Sequence, residues 1–405
     1  MTTIQLVALL VSLTAALAYV NARFIKLPSQ VGMLAAALVC SLGVVGLDAL
    51  GLIDAGHVRQ AVAELDFGHT LVHGVLGLML FAGALHIRGD ELAEMRWPIV
   101  ALSLGGTVAS TVIVGGAMYV LLVALGHDVG WLDAMLFGAL ISPTDPIAVL
   151  GVLKTSKVPR ALAVQISGES LFNDGVGVVL FTILLAMTAG EHVTAGHAVA
   201  LFAQQVLGGV AFGLVLGLGG ERMLRTLSDG NVQVLITLGL VLGGYAAAEA
   251  LGVSAPIAAV VAGIVIGGRA CSEHLALFWE LIDEILNALV FLALGLEATR
   301  LHVSSALAIA AAVAVPIVLV ARWLSVGGSL FVLRPFKRSP GSEHAVKILT
   351  WGGLRGGLSV ALALSLPIDA QRDAILVMTY VVVAVAILVQ GLTLPLLLRR
   401  LGLET

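Results

Sequence analysis

Apolar runs about as long as a bilayer is thick follow one another along almost the whole 405-residue chain. Thirteen can be marked, at 4–20, 31–47, 69–87, 98–124, 132–153, 161–188, 198–220, 231–250, 254–268, 281–297, 305–333, 348–366 and 375–398. A helix needs about 20 apolar residues to cross the hydrocarbon core. The runs show no period-2 alternation. The chain is therefore predicted to be an all-α polytopic membrane protein with about 13 transmembrane helices.

The composition excludes several classes of function. Hydrophobic residues make up 59% of the chain and charged residues only 11%, whereas a soluble domain is about 25% charged. This argues against a soluble enzyme, a disordered protein or a nucleic-acid binder. The sequence contains no phosphate-binding loop, so an ATP-driven pump is not expected. Cys40 and Cys271 have neither disulfide nor metal spacing, and no cofactor is predicted.

The basic residues predict an orientation. Sixteen of the 21 Lys and Arg residues follow odd-numbered runs, three follow even-numbered runs, and Arg322 and Arg355 lie inside runs. Because positively charged loops stay in the cytoplasm, the N-terminus is predicted to lie outside and the C-terminus inside. One miscounted run would destroy this asymmetry.

Five ionisable groups lie well inside the apolar runs: Asp145, Glu169, Asp174, Arg322 and Arg355. Each costs roughly 2.5–3.5 kcal/mol at the bilayer centre on insertion scales. They are therefore expected to pair with one another, with backbone dipoles or with a bound ion. We expect Glu169 to pair with Arg322, which leaves Asp174 as the titratable carboxylate. The alternative for Arg322 is that its side chain extends to the cytoplasmic surface.

Run 6 contains the sequence G-E-S-L-F-N-D-G at 168–175. Residues four apart share one face of a helix, so Ser170 stacks with Asp174 and Glu169 with Asn173. Hydroxyl and carboxylate oxygens suit a small, hard cation. This pattern predicts a cation site, and the alternative is that these groups only form hydrogen bonds between helices.

Runs 5 and 12 are predicted to be broken helices. Two prolines flank Thr144 and Asp145 in I-S-P-T-D-P at 141–146, and glycines surround Arg355 in W-G-G-L-R-G-G at 351–357. A break frees carbonyl groups such as that of Thr144, and the charges of Asp145 and Arg355 can compensate the half-helix dipoles. Because the two runs are seven apart, they would lie in inverted repeats, the layout of secondary transporters.

At these residues the chain resembles the monovalent cation:proton antiporters, specifically the NhaP-like Na+/H+ antiporters related to eukaryotic sodium/hydrogen exchangers. The matching motifs are T-D-P at 144–146, E-S-x-x-N-D-G at 169–175, the arginine at 322, G-L-R-G at 353–356 and Q-G-L-T at 390–393. The resemblance implies that Asp174 binds cation or proton, with Ser170, Asn173 and the Thr144 backbone nearby. Asp174, Ser170 and Thr144 would be transient Na+ ligands.

The resemblance also implies a division of the helices. Helices 4–6 (98–188) and 11–13 (305–405) would form a transport core. Helices 1–3 (1–97) and 8–10 (231–304) would form an interface for a homodimer, with helix 7 (189–230) as a linker. A multi-pass protein of the cell (inner) membrane, embedded in lipid, is expected.

The expected activity is exchange of Na+ or Li+ for H+. A buried carboxylate holds either a proton or a cation, and one such acid predicts an electroneutral 1:1 exchange, since Asn173 is neutral. Many similar proteins carry a glutamate in run 3, where this chain has Ala82. A K+/H+ antiporter or a cation channel therefore remains an alternative. An intramembrane enzyme is disfavoured because neither a nucleophile–base pair nor a metal motif is present.

Overall fold

A computed structural model describes residues 3–52, 54, 56, 71–153, 156–190, 194–300, 303–333, 344–367 and 371–403. This part of the chain is helical. Its helices are α1 Thr3–Val20, α2 Ser29–Ala49, α3 Leu76–Leu85, α4 Gly89–Glu94, α5 Arg96–Val100, α6 Thr107–Ala124, α7 Trp131–Ile141, α8 Ile147–Leu153, α9 Arg160–Thr188, α10 Ala195–Arg225, α11 Gly230–Ala250, α12 Ala255–Gly267, α13 Glu273–Glu297, α14 Ser305–Leu333, α15 Ala345–Trp351, α16 Gly357–Leu364, α17 Arg372–Val385 and α18 Gly391–Arg400.

The predicted helical class is confirmed. Within the described ranges, eight helical segments are long and apolar enough to cross a membrane. Three of them include π-helical turns: Asn21–Ile25 after α1, Ala101–Gly106 between α5 and α6, and Ala386–Gln390 between α17 and α18. The beginning of the predicted run 69–87 and the basic segment 334–343 fall outside the described residues.

The predicted start of run 10 was wrong. Run 10 was expected to begin at residue 281, but α13 begins at Glu273. The hydroxyl of Ser272 accepts a hydrogen bond from the backbone of Leu275 (3.3 Å), which caps this end of the helix. The first two turns of α13 carry Glu273 and Glu280, and their low hydropathy hid them from a search for apolar runs.

Helix α10 packs closely on α12 through a stripe of glycines at four-residue spacing. A Cβ atom on Gly209 would lie 2.8 Å from the Ser254 carbonyl oxygen, and one on Gly213 would lie 2.6 Å from that of Ala258. Gly217 continues the stripe. Small residues at this spacing let two helix backbones approach inside a membrane, where apolar burial does not drive association.

The helix α7 approaches α6 in the same way before it breaks. A Cβ atom on Gly138 would lie 2.3 Å from the Thr111 carbonyl oxygen. The hydroxyl of Ser142, which follows α7, donates a hydrogen bond to the Gly138 carbonyl (2.7 Å) and lies 3.0 Å from the Ser110 hydroxyl. These contacts fix the position at which the first half of the broken helix ends.

Candidate functional site

The two predicted broken helices are present, and their unwound segments cross. Residues 142–146 separate α7 from α8, and residues 352–356 separate α15 from α16. The backbone N–H of Asp145 donates to the Leu354 carbonyl oxygen (2.8 Å) in an isolated antiparallel bridge. Pro143 and Pro146 lack an N–H and cannot continue the helical hydrogen bonds. We call the residues 142–146 and 352–356 the helix crossing.

Arg355 lies against the end of α7. Its Nη1 atom donates to the carbonyl oxygen of Ser142 and to that of Pro143 (2.9 Å), and the residue is 2% exposed. The C-terminal end of a helix carries partial negative charge. The contacts put the guanidinium of Arg355 at the helix end whose partial charge is opposite to its own; compensation of the dipole by Arg355 stays a prediction.

Asp145 lies at the beginning of α16. A Cβ atom on Gly356, the residue that caps this helix, would be 2.5 Å from Oδ2 of Asp145. The N-terminal end of a helix carries partial positive charge. A negatively charged carboxylate at this end of α16 is therefore electrostatically favourable. A side chain at position 356 would displace the Asp145 carboxylate.

Glu169 of α9 and Arg322 of α14 are in direct contact. Arg322 Nη1 donates to Glu169 Oε1, and both side chains are at least 94% buried. The Arg322 Nε and Nη2 atoms also donate to the Leu349 carbonyl oxygen, at 3.3 and 3.2 Å. The guanidinium thus joins α9 to the last turn of α15, next to the helix crossing. It does not extend to the membrane surface.

Asn173 binds the unwound segment of the first broken helix. Its Nδ2 atom donates to Thr144 Oγ1 (2.8 Å), and its Oδ1 atom accepts from the Thr144 backbone N–H (3.2 Å). Thr144 Oγ1 also lies 3.1 Å from Ser170 Oγ. All three residues are at most 3% exposed. The amide therefore supplies one donor and one acceptor, which a carboxylate at position 173 could not do when ionised.

Asp174 differs from its neighbours in its lack of hydrogen-bond donors among the described residues. Within the described part of the chain, no hydrogen bond or ion pair reaches this half-buried side chain. It lies one helical turn from Ser170 on the same face of α9. The adjacent Gly175 is packed against Ile257 of α12, and Gly177 against Pro143. Asp174 is therefore held where α9, α12 and the helix crossing meet.

A cavity of about 550 Å³ begins one turn beyond Asp174. It is lined on α9 by Val178 and Thr182, on α12 by residues 254–256, and on α11 by Glu249. Val178 follows Asp174 by four residues, so both side chains point from the same face of α9. Leu185, nearer the C-terminal end of α9, also lines this space.

A family model described as the transmembrane sodium/hydrogen exchanger matches residues 10–400. The chain belongs to the sodium/hydrogen exchanger family. It is 47% identical to the Na(+)/H(+) antiporter NhaP of Pseudomonas aeruginosa, over 98% of this chain and 97% of that protein. It is 34% identical to the Na(+)/H(+) antiporter NhaH of Halobacillus dabanensis, over 94% of each chain.

The fold of this exchanger-family chain is also that of a solved structure. The sodium proton antiporter MjNhaP1 from Methanocaldococcus jannaschii, at pH 8, matches with a TM-score of 0.75 and 18% sequence identity. The match covers 96% of this chain and 100% of the other. The prediction of a multi-pass membrane protein related to NhaP is confirmed.

Some contacts of this exchanger-family site carry no signal in the sequence. The backbone carbonyls of Ser142 and Leu349 accept hydrogen bonds from Arg355 and Arg322, respectively. Because every residue has a backbone carbonyl, the sequence does not show which ones are used. The Asn173–Thr144 contact was also missed, although both residues were predicted site residues, because Asn173 was interpreted only as a neutral neighbour of Asp174. The available signal was that Asn173 is a polar residue inside an apolar helix. Its buried amide needs hydrogen-bond partners, and these must come from another segment.

Proposed function

We propose that this protein exchanges Na+ or Li+ for H+ across the cell membrane, with both ions competing for Asp174. The observation that carries the proposal is the carboxylate of Asp174, which no donor among the described residues reaches, one helical turn from Ser170, whose hydroxyl lies 3.1 Å from that of Thr144. A bare carboxylate inside a membrane is costly. A proton or a cation removes that cost, and one carboxylate cannot hold both.

The oxygen atoms around Asp174 suit a small monovalent cation. Carboxylate, hydroxyl and carbonyl oxygens are the ligands that hard cations prefer. Ser170 Oγ and Thr144 Oγ1 are already within 3.1 Å of each other, and the break at Pro143 leaves nearby carbonyls outside a regular helix. The site therefore needs little rearrangement to bind a partly dehydrated ion.

The stoichiometry we propose is one cation for one proton. Asn173 carries no charge, and both ends of its amide are bonded to Thr144. Glu169 is paired with Arg322, so its carboxylate is not available for coupling. Asp174 is then the carboxylate that changes its proton occupancy, and each cycle moves no net charge.

We propose alternating access by movement of a core (98–188 and 305–405) against an interface unit (1–97 and 231–304), linked by helix 7 (189–230). The cavity supports this division, because it lies between α9 and α16 of the proposed core and α11 and α12 of the other unit. A homodimer, implied by the resemblance, is part of the same proposal.

Exchange in proteoliposomes tests the proposal. An imposed pH gradient should dissipate when Na+ or Li+ is added, and the rate should not change when a potassium ionophore clamps the voltage. Asp174→Asn, which keeps the side-chain volume but removes the charge, should abolish exchange. Glu280→Gln on the exposed part of α13 is the control. Wild-type exchange by Asp174→Asn would refute the proposal.

A second candidate is K+/H+ exchange, and Ala82 favours it. Ala82 is fully buried on α3 and brings no charge to the site, so the site has fewer anionic ligands to offset the higher dehydration cost of Na+. Addition of K+ alone, with the same pH readout, separates this candidate. A cation channel would give sustained current under voltage clamp instead. The relatives are named antiporters, which are transporters and not enzymes.

A further inference from the structure

The motif Q-G-L-T at 390–393 is not used by the proposed exchange, and both of its polar side chains bind Trp351. Gln390 Nε2 donates to the Trp351 carbonyl oxygen (3.1 Å), and Trp351 Nε1 donates to Thr393 Oγ1 (3.0 Å). Trp351 is the last residue of α15 and directly precedes the helix crossing. Gln390 ends the π-helical turn that leads into α18. The motif therefore holds the end of α15 against this turn and the beginning of α18.

A small cavity lies between this motif and the helix crossing. Its polar lining is formed by Arg322, Thr350, Arg355 and Gln390, and the rest by Gly353 and by apolar side chains of α14 and α17. The volume of the cavity is about 10 Å³. A buried water molecule needs a space of at least about 10–15 Å³ and two to four polar partners. The cavity therefore has the size of one water molecule and is too small for an organic ligand.

Two buried polar atoms of this lining have no hydrogen-bond partner among the described residues. They are Arg355 Nη2 and Thr350 Oγ1. The Nη1 atom of Arg355 binds the carbonyl oxygens of Ser142 and Pro143, which leaves Nη2 of the same buried guanidinium for the cavity. A buried donor on a charged group is costly when it has no partner. Both atoms therefore require a partner that the cavity can hold.

The polar groups of the lining match the donors and acceptors of one water molecule. A guanidinium nitrogen can only donate, whereas a hydroxyl or amide oxygen can accept. Because Gln390 Nε2 is bonded to Trp351, the Oε1 atom of the same amide is the acceptor that remains. A water molecule can accept from Arg355 and donate to Thr350 and Gln390, which gives the three hydrogen bonds typical of buried water. A halide ion is larger and has no proton for the amide oxygen.

We propose that this cavity is a binding site for one structural water molecule, held by Arg355 Nη2, Thr350 Oγ1 and Gln390 Oε1. The water joins the two broken helices. Arg355 Nη1 binds the end of α7, and the water connects Arg355 Nη2 to the last turn of α15 and to the Q-G-L-T motif. The inference concerns how the helix crossing is held together, so it does not depend on which ions the protein exchanges.

A crystal structure of the full chain, grown in NaBr and at a resolution that shows ordered water, tests the site directly. We expect a density peak within hydrogen-bond distance of both Arg355 Nη2 and Thr350 Oγ1, without a bromide anomalous signal. A bromide signal at this place would overturn the inference, because it would show that the site binds an anion. Direct hydrogen bonds from Arg355 Nη2 to a protein oxygen, with no density in the cavity, would overturn it as well.

Thr350→Val gives a second test, in which the sign of the change in melting temperature decides. This variant keeps the shape of the side chain and removes its hydroxyl. If the water is bound, the loss of one partner should lower the melting temperature by about 2–4 °C and weaken the density of the water. Without a water, removal of an unpartnered buried hydroxyl should leave the melting temperature unchanged or raise it, and either result would overturn the inference.

Thr188→Val is the matched control. Thr188 is exposed at the end of α9, and its hydroxyl donates to the Leu185 carbonyl oxygen of its own helix (2.8 Å), so its melting temperature should equal that of the wild type. Thr350→Ser keeps the hydroxyl and should keep the density of the water. If Thr350→Val does not fold, the density in the wild type and in Thr350→Ser decides, and its absence from both would overturn the inference.

Discussion

Arg322 joins two helices and the end of a third, because it donates to the Glu169 carboxylate and to the Leu349 carbonyl oxygen. Both charges are almost fully buried. Attraction between them offsets the large penalty for removing each from water. Removal of either partner therefore leaves an uncompensated charge next to the site.

We expect Glu169→Ala and Arg322→Ala each to lower the free energy of unfolding by about 3–5 kcal/mol. The double variant should lose less than the sum of the two, because it leaves no lone charge. Thermal unfolding in detergent measures all three. Arg88→Ala is the matched control: Arg88 forms an exposed pair with Asp90, lowers the pKa of that carboxyl, and should shift the melt little. Unchanged melts in both buried single variants would contradict the prediction.

Asn173→Ala removes both hydrogen bonds to Thr144 and leaves the Thr144 N–H buried without a partner. Such a group costs about 1–3 kcal/mol, so we expect a lower melting temperature together with a raised KM for Na+. Asn231→Ala, an exposed asparagine in the first turn of α11, should leave both quantities unchanged. Equal behaviour of the two variants would show that the amide contact does not support the site.

Bound Na+ should stabilise the protein through Asp174. A ligand that binds only the folded state adds about 2.7 kcal/mol at a concentration of 100 times its Kd. We expect the melting temperature of the wild type to rise with NaCl or LiCl, compared with choline chloride at the same ionic strength. Asp174→Asn should fold, and its melting temperature should respond equally to all three salts. A sodium-specific rise that persists in this variant would place the binding site elsewhere.

Arg355→Ala should weaken the helix crossing, because it removes the donor to two carbonyl oxygens at the end of α7. We expect a loss of stability of about 1.5–3 kcal/mol, typical of hydrogen bonds from a charged group, and loss of most exchange activity. Arg355→Lys keeps the charge and should recover part of both. Arg400→Ala, at the exposed end of α18, is the control. If Arg355→Gln restored full stability, hydrogen bonding and not charge would be the function of this residue.

The glycine stripe of α10 allows a prediction with an internal control. Gly213→Ala brings a methyl group to 2.6 Å from the Ala258 carbonyl oxygen, whereas nothing lies within 4 Å of a Cβ atom on Gly219 of the same helix. We expect Gly213→Ala to destabilise by about 1–3 kcal/mol, as overpacking does. Gly219→Ala should be neutral or stabilise by about 0.5–1 kcal/mol. Equal melting temperatures of the two variants would mean that α10 and α12 can move apart to fit the methyl group without a loss of stability.

The sequence predicts the positions of the breaks well because their causes are local. Pro143 and Pro146 cannot donate, and the glycines around Arg355 favour unwinding, so both crossing segments could be placed within a few residues. The start of α13 could not, because its first turns are polar and are stabilised by Ser272. The partners of Arg355 and the second acceptor of Arg322 are backbone carbonyls, and only the packing of helices distant in the chain decides which ones.

The double contact between Asn173 and Thr144 has a further consequence for selectivity. It ties the unwound segment to α9, and the hydroxyl oxygens of Thr144 and Ser170 lie 3.1 Å apart in the same network. If these oxygens coordinate the cation, as we propose, the shell they form presents the same radius to an ion from either compartment. The protein would then discriminate between ions equally in both directions, and the gradients alone would decide which way net transport runs.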